Sequence, residues 1–284
     1  MKKKTLYITL ALSVSLLVLV VSCVELDVIE VVTATAEATR PLTEEEEYYL
    51  GRSVAARILA TYPLLEDERA TEYVNLVGQT VALHSDKPVT YGGYHFAVLD
   101  TDEINAFACP GGIIFITRGV FNFVENEDEL AAVIAHEVAH IVNRDGVKAI
   151  QSSRMTNLAV VMGTEAVAST SSAEFGQLLS IFEGSIQDVF SQVVVNGYSQ
   201  ATEAKADVSS LSYLERAGYD PHALETMLTR IIAEGQGSER GVMKTHPATT
   251  DRLDNVATKM PSYRPDDDSV VLRSQRFAYV AQKQ

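Results

Sequence analysis

Five residues, His136-Glu137-Val138-Ala139-His140, constrain this chain more than any other segment. If they are helical, the two imidazoles are offset by ~40° around the axis and ~6 Å along it, so both can grip one ion from the same face. Glu137 then lies one position on, beside the ion rather than beneath it. From there its carboxylate can take a proton from an attacking water and hand it to a departing amine. H-E-x-x-H on a helix is a zinc-peptidase signal, yet with six His in 284 residues it arises by chance in roughly one such chain in a hundred. The flanks argue for the helix independently. Asn126 reads as an N-cap with Glu129 three residues on as its capping-box partner. Leu130, Val133, Ile134, Val138 and Ile141 keep a helical period to an end near Asp145-Gly146. These apolar flanks suit a helix buried beneath a cleft.

A catalytic zinc needs a third protein ligand and an open position. By type, His84, His95, His222 and His246 qualify, and so does Glu203. Glu203 and Asp207 lie four apart on one face of a helix expected from Tyr198 to Ala217. One carboxylate could ligate the ion while the other holds a ligand imidazole by its second nitrogen. Without the histidine pair, two solvated helix acids would be the simpler account. His246 precedes Pro247, which restricts its backbone to extended conformations and suits a loop that carries a side chain to a fixed point.

Elsewhere the pattern gives an α+β chain. Thr43 and Glu46 form a capping box for a helix running to about Tyr62, stopped by Pro63. Residues 66–84 carry a second helical face. Tyr94–Leu99 reads as a strand, and Ile104–Cys109 with Ile113–Thr117 as a hairpin around Pro110-Gly111-Gly112. Residues 147–197, rich in Ala, Ser, Val and Gly, predict helices with small-residue packing or a mobile covering segment. Gly197 breaks the pattern. Pro221 opens a helix to about Glu234, Gly235–Gly241 reads as a flexible loop, and Thr250–Met260 as a last helix. Residues 261–284 read as a polar tail ending in a strand.

The N-terminus sets the compartment. Lys2–Lys4, the apolar run Leu6–Val21 and Val20-Val21-Ser22-Cys23 describe a secretory signal whose cut falls before a Cys. The four residues resemble a bacterial lipobox, which implies a lipid on Cys23 after removal of residues 1–22, with 23–43 as a tether. An uncleaved membrane anchor is the alternative, because the run is barely short of spanning length. Either way the remainder lies outside the cytoplasm. Val24, rather than Asp, after the Cys favours the outer over the inner membrane. Cys23 and Cys109 are the only cysteines. With Cys23 lipidated no internal disulfide forms, and Cys109 is expected as a core thiol. A net charge of −15 repels phosphate backbones and argues against nucleic acid as a partner.

Three blocks together resemble the HtpX-like zinc metallopeptidases, relatives of the CAAX prenyl endopeptidase and of the Oma-type mitochondrial protease. They are Asn105-Ala106-Phe107-Ala108-Cys109-Pro110-Gly111-Gly112, the stretch Glu129 to His140, and Tyr198-Ser199 through Glu203 to Ala206-Asp207. The resemblance spans about residues 44–260. It implies a mostly helical zincin-type metallopeptidase domain with a small sheet beside the H-E-x-x-H helix. It implies zinc held by His136, His140 and Glu203, with Glu137 as general base and acid and Asp207 as partner of a zinc-bound His. It implies that Asn105, Ala106 and Phe107 lie on an edge that pairs with an extended substrate, an envelope protein in this compartment. It brings His246 and Arg252 near the zinc, His246 as a latency ligand or, with Arg252, as an oxyanion donor. Gln200 stands where an Arg is usual, Lys205 where an acid is usual, and Asp145 where a His is frequent after Arg144. Neither the prenyl endopeptidase's transmembrane helices nor a tetratricopeptide extension is expected. Endopeptidase and largely latent assembly factor or chaperone are the two functions the resemblance leaves open.

Overall fold

The computed structural model describes residues 41–148, 184, 186–234, 245–247 and 249–281. Helix α1 (Glu44–Leu59) starts on the expected capping box: Thr43 Oγ1 accepts from the Glu46 N–H, and the Glu46 carboxylate accepts from the Thr43 N–H. Four glutamates in its first turn suit the positive end of the helix dipole. The helix stops at Leu59, short of Tyr62, because Thr61 and Tyr62 both donate to the Ile58 carbonyl and close a turn before Pro63. Helix α2 (Glu68–Leu83) is capped by Asp67. Strands β1 (His95–Leu99), β2 (Ala106–Cys109) and β3 (Ile113–Thr117) follow, then a short helix α3 (Arg118–Phe123) capped by Thr117.

Helix α4 (Glu127–Val142) carries the H-E-x-x-H segment and is buried on every side from Leu130 to Ile141. A helix apolar all round belongs inside a core. Only half of its expected capping box forms. Asn126 accepts from the Glu129 N–H, but Glu129 turns back to the Glu125 N–H and pairs with Arg230 instead of closing on Asn126. A stretch of π-helix, Ser191–Asn196, ends at Gly197. After it come α5 (Gln200–Ala217), α6 (His222–Glu234), α7 (Thr250–Lys259) and α8 (Asp267–Ala281).

The sheet order is β1-β3-β2, with β3 parallel to β1 and antiparallel to β2. The strand period of two sorts its side chains into two cores. Phe96, Val98, Ala106, Ala108, Ile114 and Ile116 pack with α2, α4, α5 and α6. Leu99, Phe107, Cys109 and Phe115 pack with Leu50, Val54 and Ile58 of α1 and with Val189 and Val193. Cys109 is the expected buried thiol, and burial pushes its pKa up. Both faces of the small sheet are therefore covered, and α4 lies directly against one of them.

One segment departs from expectation. The described part of the expected tail, residues 261–281, carries α8 and no strand; its Phe277 and Val280 pack on the main core and its Arg276 reaches Glu127 on α4. The i, i+3 spacing of Phe277 and Val280 is a helical signal. The signal segment, Cys23, the tether to residue 40, most of the 147–197 stretch (149–183) and the loop 235–241 lie outside the described residues. No helix among the described residues is long and apolar enough to cross a membrane.

Candidate metal centre

Helices α4 and α5 pack along one another and bring their polar residues to one point. His136 and His140 aim Nε2 inward, 3.1 Å apart. The Glu203 carboxylate arrives from α5, 3.3 Å from His136 Nε2 and 3.5 Å from His140 Nε2. From the segment before α7, His246 Nδ1 comes within 3.3 Å of His136 Nε2 and 3.0 Å of Glu203 Oε1. One donor atom from each of the four residues lies within 4.8 Å of every other, and all four residues are buried. Ligands at ~2.1 Å on tetrahedral corners stand about 3.4 Å apart, so this spacing and this imidazole–carboxylate set fit zinc. His84, His95 and His222 are exposed and hydrogen bond locally, away from the cluster.

Glu137, one position on from His136, is 2 % exposed and its Oε2 has no hydrogen-bond partner, while its Oε1 lies 3.6 Å from His246 Nε2. A buried carboxylate oxygen left free beside a ligand cluster is placed to handle a proton. A recess of about 30 Å³ opens next to it, walled by Ile104, Val120, Val133, Met227 and Leu228. That is room for little more than a water molecule.

Second contacts hold the donors. His136 Nδ1 lies 3.0 Å from Asp207 Oδ1, a close ion-pair contact that falls off the axis of a hydrogen bond. His140 Nδ1 meets Asp145 Oδ2 at 2.9 Å in an aligned hydrogen bond. The His140 ring also stacks on Tyr198, with centroids 4.4 Å apart. Arg252 is held among the cluster residues on several sides. Its Nε and Nη2 each donate to Asp207 at 2.8 Å, and its Nη1 reaches Glu203 at 3.0 Å, the Pro247 carbonyl at 3.1 Å and the His246 carbonyl at 3.3 Å. With its guanidinium so occupied it fixes the ligands from behind. It also lines the recess beside Glu137 and His246. The substituted Lys205 is exposed on the far side of α5, as its spacing required.

The electrostatics follow. Burial opposes a charged His136, but Asp207 and Glu203 outweigh it and raise its pKa to about 10. His140 is also raised, Asp145 and Glu203 overcoming burial. Burial would raise Glu203, yet His246, His136 and His140 hold it low; Arg252 and His136 do the same for Asp207.

Gly197 sets where His246 sits. Its φ of +70° lies in the region glycine favours, and a Cβ there would run into the Thr245 carbonyl, which accepts from the Tyr198 N–H at 3.3 Å. The strand expected to meet substrate is covered here. Asn105, Ala106 and Phe107 are all buried, Asn105 Oδ1 accepts from the Ala106 N–H at 2.9 Å and from the Thr245 hydroxyl at 3.0 Å, and Ser191–Asn196 packs against β2. Sequence reasoning missed Asp145 and Tyr198 as neighbours of His140. A carboxylate five residues past a ligand fits no helical template, and only its place in the family pattern marked it.

Comparison with known proteins agrees with this geometry. A family model described as Peptidase family M48 matches residues 68–259. The chain is 27% identical over 242 residues to the Beta-barrel assembly-enhancing protease of Escherichia coli (strain K12), covering 83% of this chain and 47% of that protein. It is 26% identical over 193 residues to Metalloprotease LoiP of the same organism, covering 68% of this chain and 70% of that protein. It is 31% identical over 159 residues to the Mitochondrial metalloendopeptidase OMA1 of Schizosaccharomyces pombe (strain 972 / ATCC 24843), covering 55% and 44%. This chain spans about half the length of the assembly-enhancing protease it matches.

Proposed function

Because this chain belongs to peptidase family M48, we propose that it is a zinc-dependent endopeptidase of the cell envelope that hydrolyses envelope proteins in protein quality control. The observation that carries this is the buried convergence of His136, His140, Glu203 and His246 with the free oxygen of Glu137 beside it. Zinc, when bound by His136, His140 and Glu203, supplies a Lewis acid for the scissile carbonyl and a water of lowered pKa. Glu137 takes the proton of that water and delivers it to the departing amine. Asp207 and Arg252 hold the ligands during the exchange. Asn105, Ala106 and Phe107 receive the substrate in extended form along β2 once the covering segment yields. The compartment is read from the lipobox, with lipid on Cys23 tethering the domain to a membrane, the outer one where the cell has two. Two relatives named as proteases, one of them assembly-enhancing, support an envelope substrate without naming it.

A second reading has an observation of its own. Four donors and a covered β2 describe a site closed to substrate, as in a largely latent protein acting in assembly or as a chaperone. Casein cleavage by the purified chain separates the two. The wild type should cleave and carry one zinc per chain by elemental analysis, while Glu137→Gln keeps the zinc and loses ~100-fold or more in rate. Equal cleavage by both would remove Glu137 from the chemistry; none by either would favour the latent reading.

A further inference from the structure

An unbroken α4 would carry residue 145 about 140° around the axis from His140, facing away from it. The chain does something else. Helix α4 ends at Val142, and Arg144 has a φ of +56°, alone among the described non-glycine residues in being positive. A side-chain-bearing residue is uncommon there and needs holding. Glu47 of α1 accepts from Arg144 Nε at 2.8 Å, and the Leu42 carbonyl accepts from Nη2 at 2.8 Å. The reversed backbone folds Asp145 back onto the last turn, where residues 145–148 resume a helix. Asp145 is 5 % exposed, one oxygen on His140 Nδ1 at 2.9 Å and the other on Lys148 Nζ at 3.1 Å.

We propose that Asp145 is a positioning residue for the zinc ligand His140, and that this chain gives each of its two zinc histidines a carboxylate of its own. Asp145 accepts the Nδ1–H, which fixes the tautomer and leaves Nε2 as the nitrogen aimed at the ion. The two supports come from different elements: Asp207 from α5 for His136, and the strained turn after α4 for His140. The inference rests on the zinc reading above.

The test is zinc affinity, measured by chelator competition on the full chain, for wild type, Asp145→Ala and Asp145→Asn. Asp145→Ala should bind zinc 10- to 100-fold more weakly. Asp145→Asn should fall short of that loss, because its amide oxygen still accepts from Nδ1–H. Melting of the metal-free proteins reports the cost to the fold separately. A carboxylate that only anchors the turn through Lys148 would lower melting temperature and leave zinc affinity at the wild-type value, which overturns the inference. Equal weakening in both variants would also overturn it, since the acceptor would then not matter. If the wild type binds no zinc, the zinc reading itself fails and takes this with it; if the wild type binds and Asp145→Ala binds equally, only Asp145 is misassigned.

Discussion

His136 and His140 each turn one ring nitrogen to the cluster and the other to a carboxylate, and those carboxylates raise the pKa of both rings. An ion competes with any proton held there. His136 has a folded pKa raised to about 10 against an ordinary 6.5. Its contribution to metal-free stability is therefore full below about pH 6.5 and lost as pH rises towards 10. Zinc binding should accordingly release protons, and its apparent affinity should climb across that window. Calorimetric titration in buffers of different ionisation enthalpy measures the release; affinity flat from pH 6.5 to 9 would contradict the charged-imidazole account. At this scale the convergence of the cluster was legible because spacing on a helix is a rule of geometry. His136 with His140 and Glu203 with Asp207 are both i, i+4 pairs. Asp145 and the real work of Arg252 were not legible, because a reversed turn and a guanidinium arriving from α7 are set by tertiary approach.

Glu127 links four elements at the other end of α4. It is 1 % exposed and accepts from Tyr73 of α2 at 2.9 Å, from Tyr219 beyond α5 at 3.2 Å and from Arg276 of α8 at 3.1 Å. Arg273 of α8 adds an ion pair to Asp128 at 3.2 Å and a hydrogen bond to the Gly218 carbonyl at 2.9 Å. Helix α8 thus clamps the first turn of the helix whose later turns carry the metal ligands. Glu127→Ala leaves two buried hydroxyls and part of an arginine without their acceptor. It should cost about 3–5 kcal/mol in urea unfolding, whereas Arg276→Ala, on a side chain 43% exposed, should cost nearer 1–2 kcal/mol. Similar losses in the two variants would mean that the arginine, and not the tyrosines, carries the clamp. The sequence hid this element. Asp266–Asp268 and the polar residues after them read as a tail, and the helical spacing of Phe277 and Val280 is a single pair that this polar composition outweighed.

Across the described residues, four donors converge, Ser191–Asn196 packs against β2, and Gly197 admits the Thr245–His246 segment. His246→Ala removes the fourth donor without touching the other three. Basal casein cleavage should rise at unchanged zinc content; a large fall with zinc retained would instead make His246 an oxyanion donor, and no change would leave it a loop residue. The α+β plan, the hairpin and the zinc helix were readable because each has a local period or turn. The closure was not, because it depends on which distant segments meet. Arg252 couples that closure to the ligands, gripping the His246 and Pro247 carbonyls with the same guanidinium that holds Asp207 and Glu203. In a zinc-loaded chain the His246 segment would lie against the ion among the described residues. Loosening that segment should therefore speed the exchange of zinc along with cleavage while leaving equilibrium zinc content unchanged.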